Sequence, residues 1–232
     1  MTRPRLLDLF CGAGGAAIGY HLAGFDVLGV DISSARLKHY PYDHARGDAL
    51  EYAERHGSEF DVIHASPPCQ LYSISHNAHR KPHPDMLPQT RDTLRRIGRP
   101  YIIENVPGAP MPDAMTLCGT MFNLTATDLD GVTVYLRRHR LFESPDVFLY
   151  PPDICRCLVF RDRGWRCAGV YGNGSETPDD AHARQGGYTP PATVQRALMG
   201  LDLPRDHLNQ AIPPVYTQHI GEQLMTVLPA TR

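Results

Sequence analysis

The sequence lacks a strong charge excess and lacks long hydrophobic runs. Its 23 Lys and Arg residues are offset by 25 Asp and Glu, so the formal net charge is −2 and the chain does not have the basic balance of a protein that holds nucleic acid by charge alone. No apolar run approaches the roughly 20 residues of a membrane span. The N-terminal residues do not resemble a secretory signal, so we expect a cytoplasmic protein whose six cysteines are reduced.

The remaining composition is that of a globular α/β protein. Of 232 residues, 42% are hydrophobic, enough for one good core, and the 20 Gly and 21 Pro residues indicate many loops. Short apolar runs that predict strands lie at 6–10, 25–31, 61–65 and 101–106, and helices are expected at 16–23, 87–97, 191–201 and 216–228. This alternation predicts a mostly parallel sheet, with a loop-rich stretch from about 147 to 188.

The turn after the first predicted strand has features of a nucleoside site. Its sequence, Cys11-Gly12-Ala13-Gly14-Gly15, allows close approach of a ligand to the backbone, and Phe10 offers a ring for a flat base. Asp31, at the end of the next strand, is placed to accept hydrogen bonds from ribose hydroxyls, and Asp48 from an exocyclic amine. Since no Lys follows to meet a phosphate, we expect a nucleoside without phosphates; a turn that only packs a helix is the alternative.

Reactive side chains follow two other predicted strands. Cys69, in Pro67-Pro68-Cys69-Gln70, comes just after the strand that ends at Ala65, and a thiolate there would be a strong nucleophile. Glu104 ends another strand, where a raised pKa would make it a proton donor. Arg138 and Arg140 alternate in a predicted strand and would share one face, to hold a carboxylate or a base carbonyl; a solvated surface is the alternative.

The other cysteines raise the question of a metal. Cys155, Cys157 and Cys167, with His182 further on, do not have the two paired Cys or Cys/His units usual in structural zinc sites, so we expect no metal; zinc is the alternative. Cys11 and Cys118 are interpreted as small buried side chains.

These motifs, in this order, resemble those of the DNA (cytosine-5) methyltransferase family, in a short bacterial or phage-type member. Residues 8–15 are similar to its cofactor motif, 67–70 to its nucleophile motif, 104–106 to its glutamate motif and 138–140 to its arginine motif, while 188–201 and 210–221 are similar to the segments that follow its specificity region. The resemblance implies a Rossmann-like S-adenosylmethionine-dependent fold with a catalytic and cofactor-binding core at 1–142, a short target-recognition insert at 143–187 and a C-terminal segment at 188–232 that completes the core. It implies a monomer in the cytoplasm of a bacterial cell or phage-infected host.

The resemblance also assigns roles. The chain would transfer a methyl group from S-adenosylmethionine to carbon 5 of a cytosine flipped out of double-stranded DNA. Cys69 would add to carbon 6, Glu104 would act at ring nitrogen 3, and Arg138 and Arg140 would bind the base carbonyl. The implied cofactor contacts are Phe10, Cys11, Gly12, Ala13, Gly14, Gly15, Asp31, Ile32, Asp48, Ala49, Pro67 and Leu87, and the implied nucleic-acid contacts are Gln70, Ser73, His79, Arg80 and Lys81.

Some positions depart from the family pattern. Leu136 stands where Gln is frequent, Ser66 where Gly is common, and 211–215 in place of a Gly-Asn-Ser-Val run. The short insert predicts recognition of a short or relaxed target. The alternatives are an RNA cytosine-5 methyltransferase and a non-catalytic nucleic-acid-binding relative or half of a split enzyme; a nicotinamide-dependent oxidoreductase is disfavoured because Pro-Cys-Gln has no role there.

Overall fold

The computed structural model describes residues 2–72, 84–171 and 188–228. Its helices are α1 (Gly15–Leu22), α2 (Ser34–Leu37), α3 (Ala49–His56), α4 (Leu87–Ile97), α5 (Cys157–Asp162), α6 (Ala192–Met199), α7 (Arg205–Leu208) and α8 (Pro214–Val227). Its strands are β1 (Arg5–Leu9), β2 (Asp26–Asp31), β3 (His44–Arg46), β4 (Val62–Ala65), β5 (Tyr101–Asn105), β6 (Met115–Leu117), β7 (Thr125–Thr127), β8 (Thr133–Leu136), β9 (Arg140–Glu143) and β10 (Arg166–Ala168). The predicted contacts Ser73, His79, Arg80 and Lys81, and His182, lie outside these described ranges.

The main sheet confirms the predicted α/β fold. Within the described residues it has seven strands in the order β3-β2-β1-β4-β5-β9-β6. The strands from β3 to β5 run parallel, whereas β9 is antiparallel to both β5 and β6. Because β4 lies between β1 and β5, the segments that follow these three strands emerge side by side at one edge of the sheet, where ligands bind in open α/β folds.

Helices cover both faces of this sheet. Leu6, Val62 and Ile102 belong to a buried cluster that includes Tyr20 of α1 and Tyr216 of α8, and the next residue of each strand, Leu7, Ile63 and Ile103, belongs to a cluster on the α3 and α4 side. This alternation follows from the two-residue period of strand side chains. Strands buried on both faces read as the continuous apolar runs seen in the sequence.

A smaller lobe packs beside the main sheet. It contains a three-stranded sheet in the order β10-β8-β7, and α6 contributes to its core. Strand β10 comes from the loop-rich insert and pairs in parallel with β8, with Cys167 opposite Tyr135. The described part of the insert therefore has a helix, α5, and a strand that sequence periodicity did not predict. Among the described residues, no helix is both long and apolar enough to span a membrane.

Candidate active site

The turn after β1 has an unusual backbone conformation. Phe10, Gly12 and Gly14 have φ values of 56°, 57° and 87°. Residues other than glycine rarely adopt this left-handed backbone conformation. A Cβ on Gly14 would lie 2.5 Å from Cδ of Pro41, whereas a Cβ on Gly12 would have no heavy atom of the described residues within 4 Å. The turn is therefore packed at Gly14 and open at Gly12, which leaves backbone accessible at the edge of the sheet.

Asp31 fixes this turn to the end of β2. Its side chain is buried, Oδ2 accepts a hydrogen bond from the Gly12 amide at 3.0 Å, and Oδ1 accepts one from the Ser33 amide at 2.8 Å. Each carboxylate oxygen has capacity for a further hydrogen bond. The next side chain, Ile32, is 69% exposed. A carboxylate held in place next to an exposed apolar side chain fits the ribose and the flat base of a nucleoside.

Two further residues that are predicted to contact the cofactor, Asp48 and Leu87, contribute to the fold itself. Asp48 caps α3, because its Oδ1 accepts from the Leu50 and Glu51 amides, both at 2.9 Å, and its second oxygen can still accept a hydrogen bond. Leu87, in contrast, is only 1% exposed and packs in the core at the start of α4. Its contact with the cofactor stays a prediction, and its side chain presents almost no surface in this structure.

The C-terminal helix packs directly behind the turn. Thr217 of α8 donates a hydrogen bond to the Ala16 carbonyl at 2.8 Å. A Cβ on Gly19 would lie 2.0 Å from the Pro214 carbonyl oxygen, and one on Gly15 would lie 2.6 Å from that of Ile212. These glycines therefore allow α8 and the preceding segment to contact α1, as the resemblance of 210–221 to the family's final helix implies.

Cys69 lies on a segment anchored to both neighbouring strands. The Ser66 amide donates to the Leu9 carbonyl at 3.2 Å, and the Asn105 side-chain amide donates to the Pro67 carbonyl at 3.3 Å. Cys69 itself is half-buried and free. The segment that bears the thiol therefore lies between the turn after β1 and the end of β5.

Glu104 and Arg140 form a buried ion pair. Arg140 Nε lies 3.0 Å from Glu104 Oε1, and each side chain is 9% exposed. Burial raises the pKa of Glu104, and this effect outweighs the opposing influences of Arg140 and of a hydrogen bond from Ser66. A raised pKa favours the protonated form of the carboxyl group, which can then act as a proton donor.

The thiol of Cys69 and the carboxyl of Glu104 influence each other. Burial, and then the negative charge of Glu104, raise the pKa of Cys69, while Arg140 and Arg138 act in the opposite direction. Two adjacent anions are unfavourable in a partly buried site, so ionisation of either group disfavours ionisation of the other. The structure thus brings together the two reactive residues that the sequence singled out.

Arg138 has surroundings different from those predicted. It lies in the loop between β8 and β9, so it does not share a strand face with Arg140, and that prediction is wrong. Its buried guanidinium donates hydrogen bonds to the carbonyls of Val170 at 2.8 Å, Asn209 at 2.7 Å and Ala211 at 2.8 Å. Arg138 therefore ties the small lobe and the C-terminal segment to the loop that precedes Arg140.

A buried polar chain below Glu104 was not predicted. His64 Nδ1 lies 3.0 Å from the Tyr20 hydroxyl, His64 Nε2 lies 2.9 Å from the Ser66 hydroxyl, and Ser66 hydrogen-bonds to Glu104. Burial lowers the pKa of His64 to about 3, so the imidazole is neutral. If Ser66 donates to the carboxylate, it accepts from Nε2–H, and Tyr20 then donates to Nδ1. The signal in the sequence was a histidine inside an otherwise apolar strand.

The structure also assembles a second group of cysteines. Ligand atoms of Cys118, His139, Cys155 and Cys157 lie within 4.8 Å of one another. Cys118 is buried, as predicted, but it contacts other sulfur atoms. Cys167, grouped with Cys155 and Cys157 in the sequence, is instead buried in β10.

Comparison with known proteins gives one family match over more than half of the chain. The profile of the C-5 cytosine-specific DNA methylase family matches residues 4–126, a range that includes the turn, Cys69 and Glu104. The chain is similar to the Type II methyltransferase M.XorII of Xanthomonas oryzae pv. oryzae, with 33% identity over 88 residues, covering 32% of this chain and 21% of that protein. It is also similar to the Type II methyltransferase M.AplI of Arthrospira platensis, with 33% identity over 72 residues, covering 30% and 21%. The matched region thus spans about a fifth of the length of these curated relatives.

One solved structure is similar over nearly the whole chain. It is described as a DNA modification methyltransferase encoded within a prophage of E. coli, and the match covers 97% of this chain and 99% of that chain. The TM-score is 0.57 at 13% sequence identity, so the likeness is one of fold.

Proposed function

The chain belongs to the C-5 cytosine-specific DNA methylase family, and from this membership we propose that it transfers a methyl group from S-adenosylmethionine to carbon 5 of cytosine in double-stranded DNA. The observation that carries the proposal is the buried Glu104–Arg140 pair, which acts on the thiol of Cys69 at the edge of the sheet that bears the turn after β1. A nucleophile, a proton donor and a nucleoside-type cleft at one edge are what this reaction requires.

The residues around the turn fit S-adenosylmethionine. Asp31 would accept from the ribose hydroxyls, Ile32 and Phe10 would contact the adenine ring, and Asp48 would accept from its amine. Cys11, Gly12, Ala13, Gly14, Gly15, Ala49 and Pro67 complete the proposed cofactor-binding set. When bound, the cofactor supplies an electrophilic methyl group on its sulfonium.

The chain's own residues would make the cytosine ring reactive. The Cys69 sulfur, having lost its proton, forms a bond to carbon 6 while Glu104 gives a proton to ring nitrogen 3, and the displaced ring electrons make carbon 5 nucleophilic. Once carbon 5 is methylated, a base removes its hydrogen as a proton, ring nitrogen 3 returns its proton to Glu104, the carbon–sulfur bond breaks, and Cys69 leaves with the electron pair. The sulfur must reach a face of the ring, so the base has to leave the helical stack.

The electrostatics of the pair suggest how attack is coupled to base binding. The charge of Glu104 disfavours a thiolate at Cys69, so the thiolate becomes easier to form when Glu104 is protonated and donates to the base. Arg140 then remains as the compensating positive charge beside both groups. We propose that the thiol stays protonated until a cytosine enters the site.

DNA recognition would involve Gln70, the segment that follows it and the insert at 143–187, with the protein acting as a monomer. The described part of the insert is small, which favours readout of few base pairs. Sequencing DNA from cells that express the protein, by a method that reports 5-methylcytosine, would show both the activity and its sequence context.

The decisive experiment is an in vitro assay with duplex DNA that contains all short cytosine contexts. We expect 5-methylcytosine with the wild-type protein, and a stable protein–DNA adduct when the target base is 5-fluorocytosine, because fluorine at carbon 5 cannot be removed as a proton. Transfer RNA is assayed in parallel. Methylation of RNA alone would contradict the proposed substrate, and methylation without an adduct would contradict the covalent step.

A further inference from the structure

Four potential metal ligands from three separate segments converge at the loop between β8 and β9, which contains Arg138. Cys118 follows β6, His139 lies between β8 and β9, and Cys155 and Cys157 come from the insert at the start of α5. Cys118 and Cys157 are buried, His139 is half-buried and Cys155 is exposed. Three sulfurs and one imidazole nitrogen in a single cluster are a ligand set typical of structural zinc.

The spacing of these atoms suits one metal ion. The sulfurs of Cys118 and Cys157 lie 3.3 Å apart, and so do His139 Nε2 and the Cys155 sulfur. Tetrahedral zinc with its usual bond lengths separates its ligand atoms by about 3.5 to 3.8 Å, and all four atoms here lie within 4.8 Å of one another. An iron–sulfur cluster would need wider spacing, because its cysteines bind different iron atoms.

The neighbouring hydroxyl supports thiolate ligands. The buried Thr120 hydroxyl lies 3.6 Å from the Cys118 sulfur and 3.7 Å from the sulfurs of both Cys155 and Cys157. It also accepts a hydrogen bond from the Arg156 amide at 3.2 Å. A hydroxyl within reach of three sulfurs can donate its hydrogen to one of them and so help to orient a metal-bound thiolate.

We propose that Cys118, His139, Cys155 and Cys157 bind one structural Zn²⁺. Four protein ligands close the coordination sphere, so the ion would have no open position for catalysis. The zinc ion would link three parts of the chain, namely the insert, the residue that follows β6 and the loop between β8 and β9.

The position of His139 gives the ion a role in ordering the active site. His139 lies between Arg138 and Arg140, and its carbonyl accepts a hydrogen bond from Arg140 Nη1 at 2.8 Å. Arg140 is in turn the partner of Glu104. Zinc at His139 would therefore hold the backbone from which Arg140 reaches the carboxyl group.

The first test is the metal content of the full chain. We expect about one zinc per chain in wild-type protein purified under reducing conditions and dialysed against zinc. Cys155→Ser should lose most of this metal or release it readily to a chelator, and its exposed position favours a folded variant. Cys167→Ser, the same change at a cysteine of the insert outside the cluster, is the matched control and should retain zinc.

Cobalt substitution is an independent readout. Co²⁺ in the wild-type chain should give the visible absorption of a tetrahedral site with thiolate ligands, and this absorption should be weakened in Cys155→Ser but not in Cys167→Ser. Wild-type protein that binds neither ion, or that contains a Cys118–Cys157 disulfide in place of metal under these conditions, would overturn the proposal. Equal zinc retention in Cys155→Ser and the control would overturn the ligand set.

Discussion

The two places where cysteine chemistry concentrates in this protein have opposite surroundings. Cys69 is a half-buried thiol, and the charges of the described residues that influence its pKa most are those of Glu104 and Arg140. The cluster of Cys118, Cys155 and Cys157 instead places three sulfurs around one imidazole and one hydroxyl. A thiol beside a carboxyl group and an arginine is suited to attack a substrate, whereas thiols that surround one point are arranged to hold an ion. The neighbours of these cysteines, and not the residue type, separate the two proposed functions.

The largest expected effect separates these two groups directly. Cys69→Ser should abolish methyl transfer, because a serine hydroxyl is a far weaker nucleophile than a thiolate, while cofactor affinity and melting temperature stay near wild type. Cys155→Ser should instead lower the melting temperature and, because zinc would hold the backbone at His139, reduce methyl transfer without abolishing it. Assays of turnover, cofactor binding and thermal unfolding on both variants check this. Full activity in Cys69→Ser would refute the nucleophile assignment.

Glu104→Gln tests the carboxyl group beside Cys69, a neighbour that the cysteines of the cluster do not share among the described residues. The amide keeps the shape but cannot give a proton, so we expect the chemical step to slow by about 10² to 10⁴, the usual contribution of general acid catalysis. Glu143→Gln is a matched control, because Glu143 also pairs with an arginine, Arg91, at 2.6 Å but is not among the groups that shift the pKa of Cys69. Single-turnover rates should fall only for Glu104→Gln; equal losses would point to a general effect of broken ion pairs.

The sequence allowed the active site to be predicted better than the metal cluster. Cys69 lies on the segment that follows β4 and Glu104 lies near the end of β5, and parallel neighbouring strands bring such positions to the same edge without further information. Helix α4 was predicted at 87–97 and is observed there, since Pro88 lies in its first turn and Gly98 ends it in a left-handed conformation.

Other features could not be predicted because they depend on tertiary contacts. The three-residue strands β3, β6, β7 and β10 exist through pairing with their neighbours and have no periodicity of their own. The cluster ligands come from segments far apart in the chain, and His139 was attributed to the arginine motif alone. The separation of Arg138 from Arg140 followed from carbonyl partners at 170, 209 and 211 that sequence spacing does not reveal.

The buried imidazole of His64, which lies near Glu104, should make the stability of the fold depend on pH. The imidazole of the cysteine cluster, His139, is only half-buried. Burial depresses the pKa of His64 from 6.5 to about 3 in the folded state, so its neutral form contributes stability that is present above pH 6.5 and is lost as the pH falls towards 3. We expect a loss on the order of 3 kcal/mol by pH 4 relative to His64→Gln, which cannot titrate there. Urea unfolding at several pH values measures the difference. Parallel pH dependences in the two proteins would show that His64 is already charged in the fold.

Asp31→Ala tests the proposed cofactor side of the cleft. Removing a carboxylate that would bind ribose, and that holds the Gly12 amide at 3.0 Å, should weaken S-adenosylmethionine binding roughly 10- to 100-fold, as for other hydrogen bonds to charged groups. Asp26→Ala, at the exposed opposite end of the same strand, is the control and should bind normally. Calorimetry with both variants checks this, and unchanged affinity in Asp31→Ala would remove that residue from the site.

Ser66→Ala has the smallest expected effect and addresses how Glu104 is tuned. The Ser66 hydrogen bond lowers the pKa of Glu104 against the larger effect of burial, so its loss should raise that pKa further. If protonated Glu104 is the active form, the alkaline limb of the rate profile should move to higher pH, with less than about a tenfold change in the maximal rate. Ser66→Thr, which keeps a hydroxyl, should restore the profile. A purely structural role of Ser66 would change the rate by the same factor at every pH, whereas a displaced limb would locate the effect at the carboxyl group.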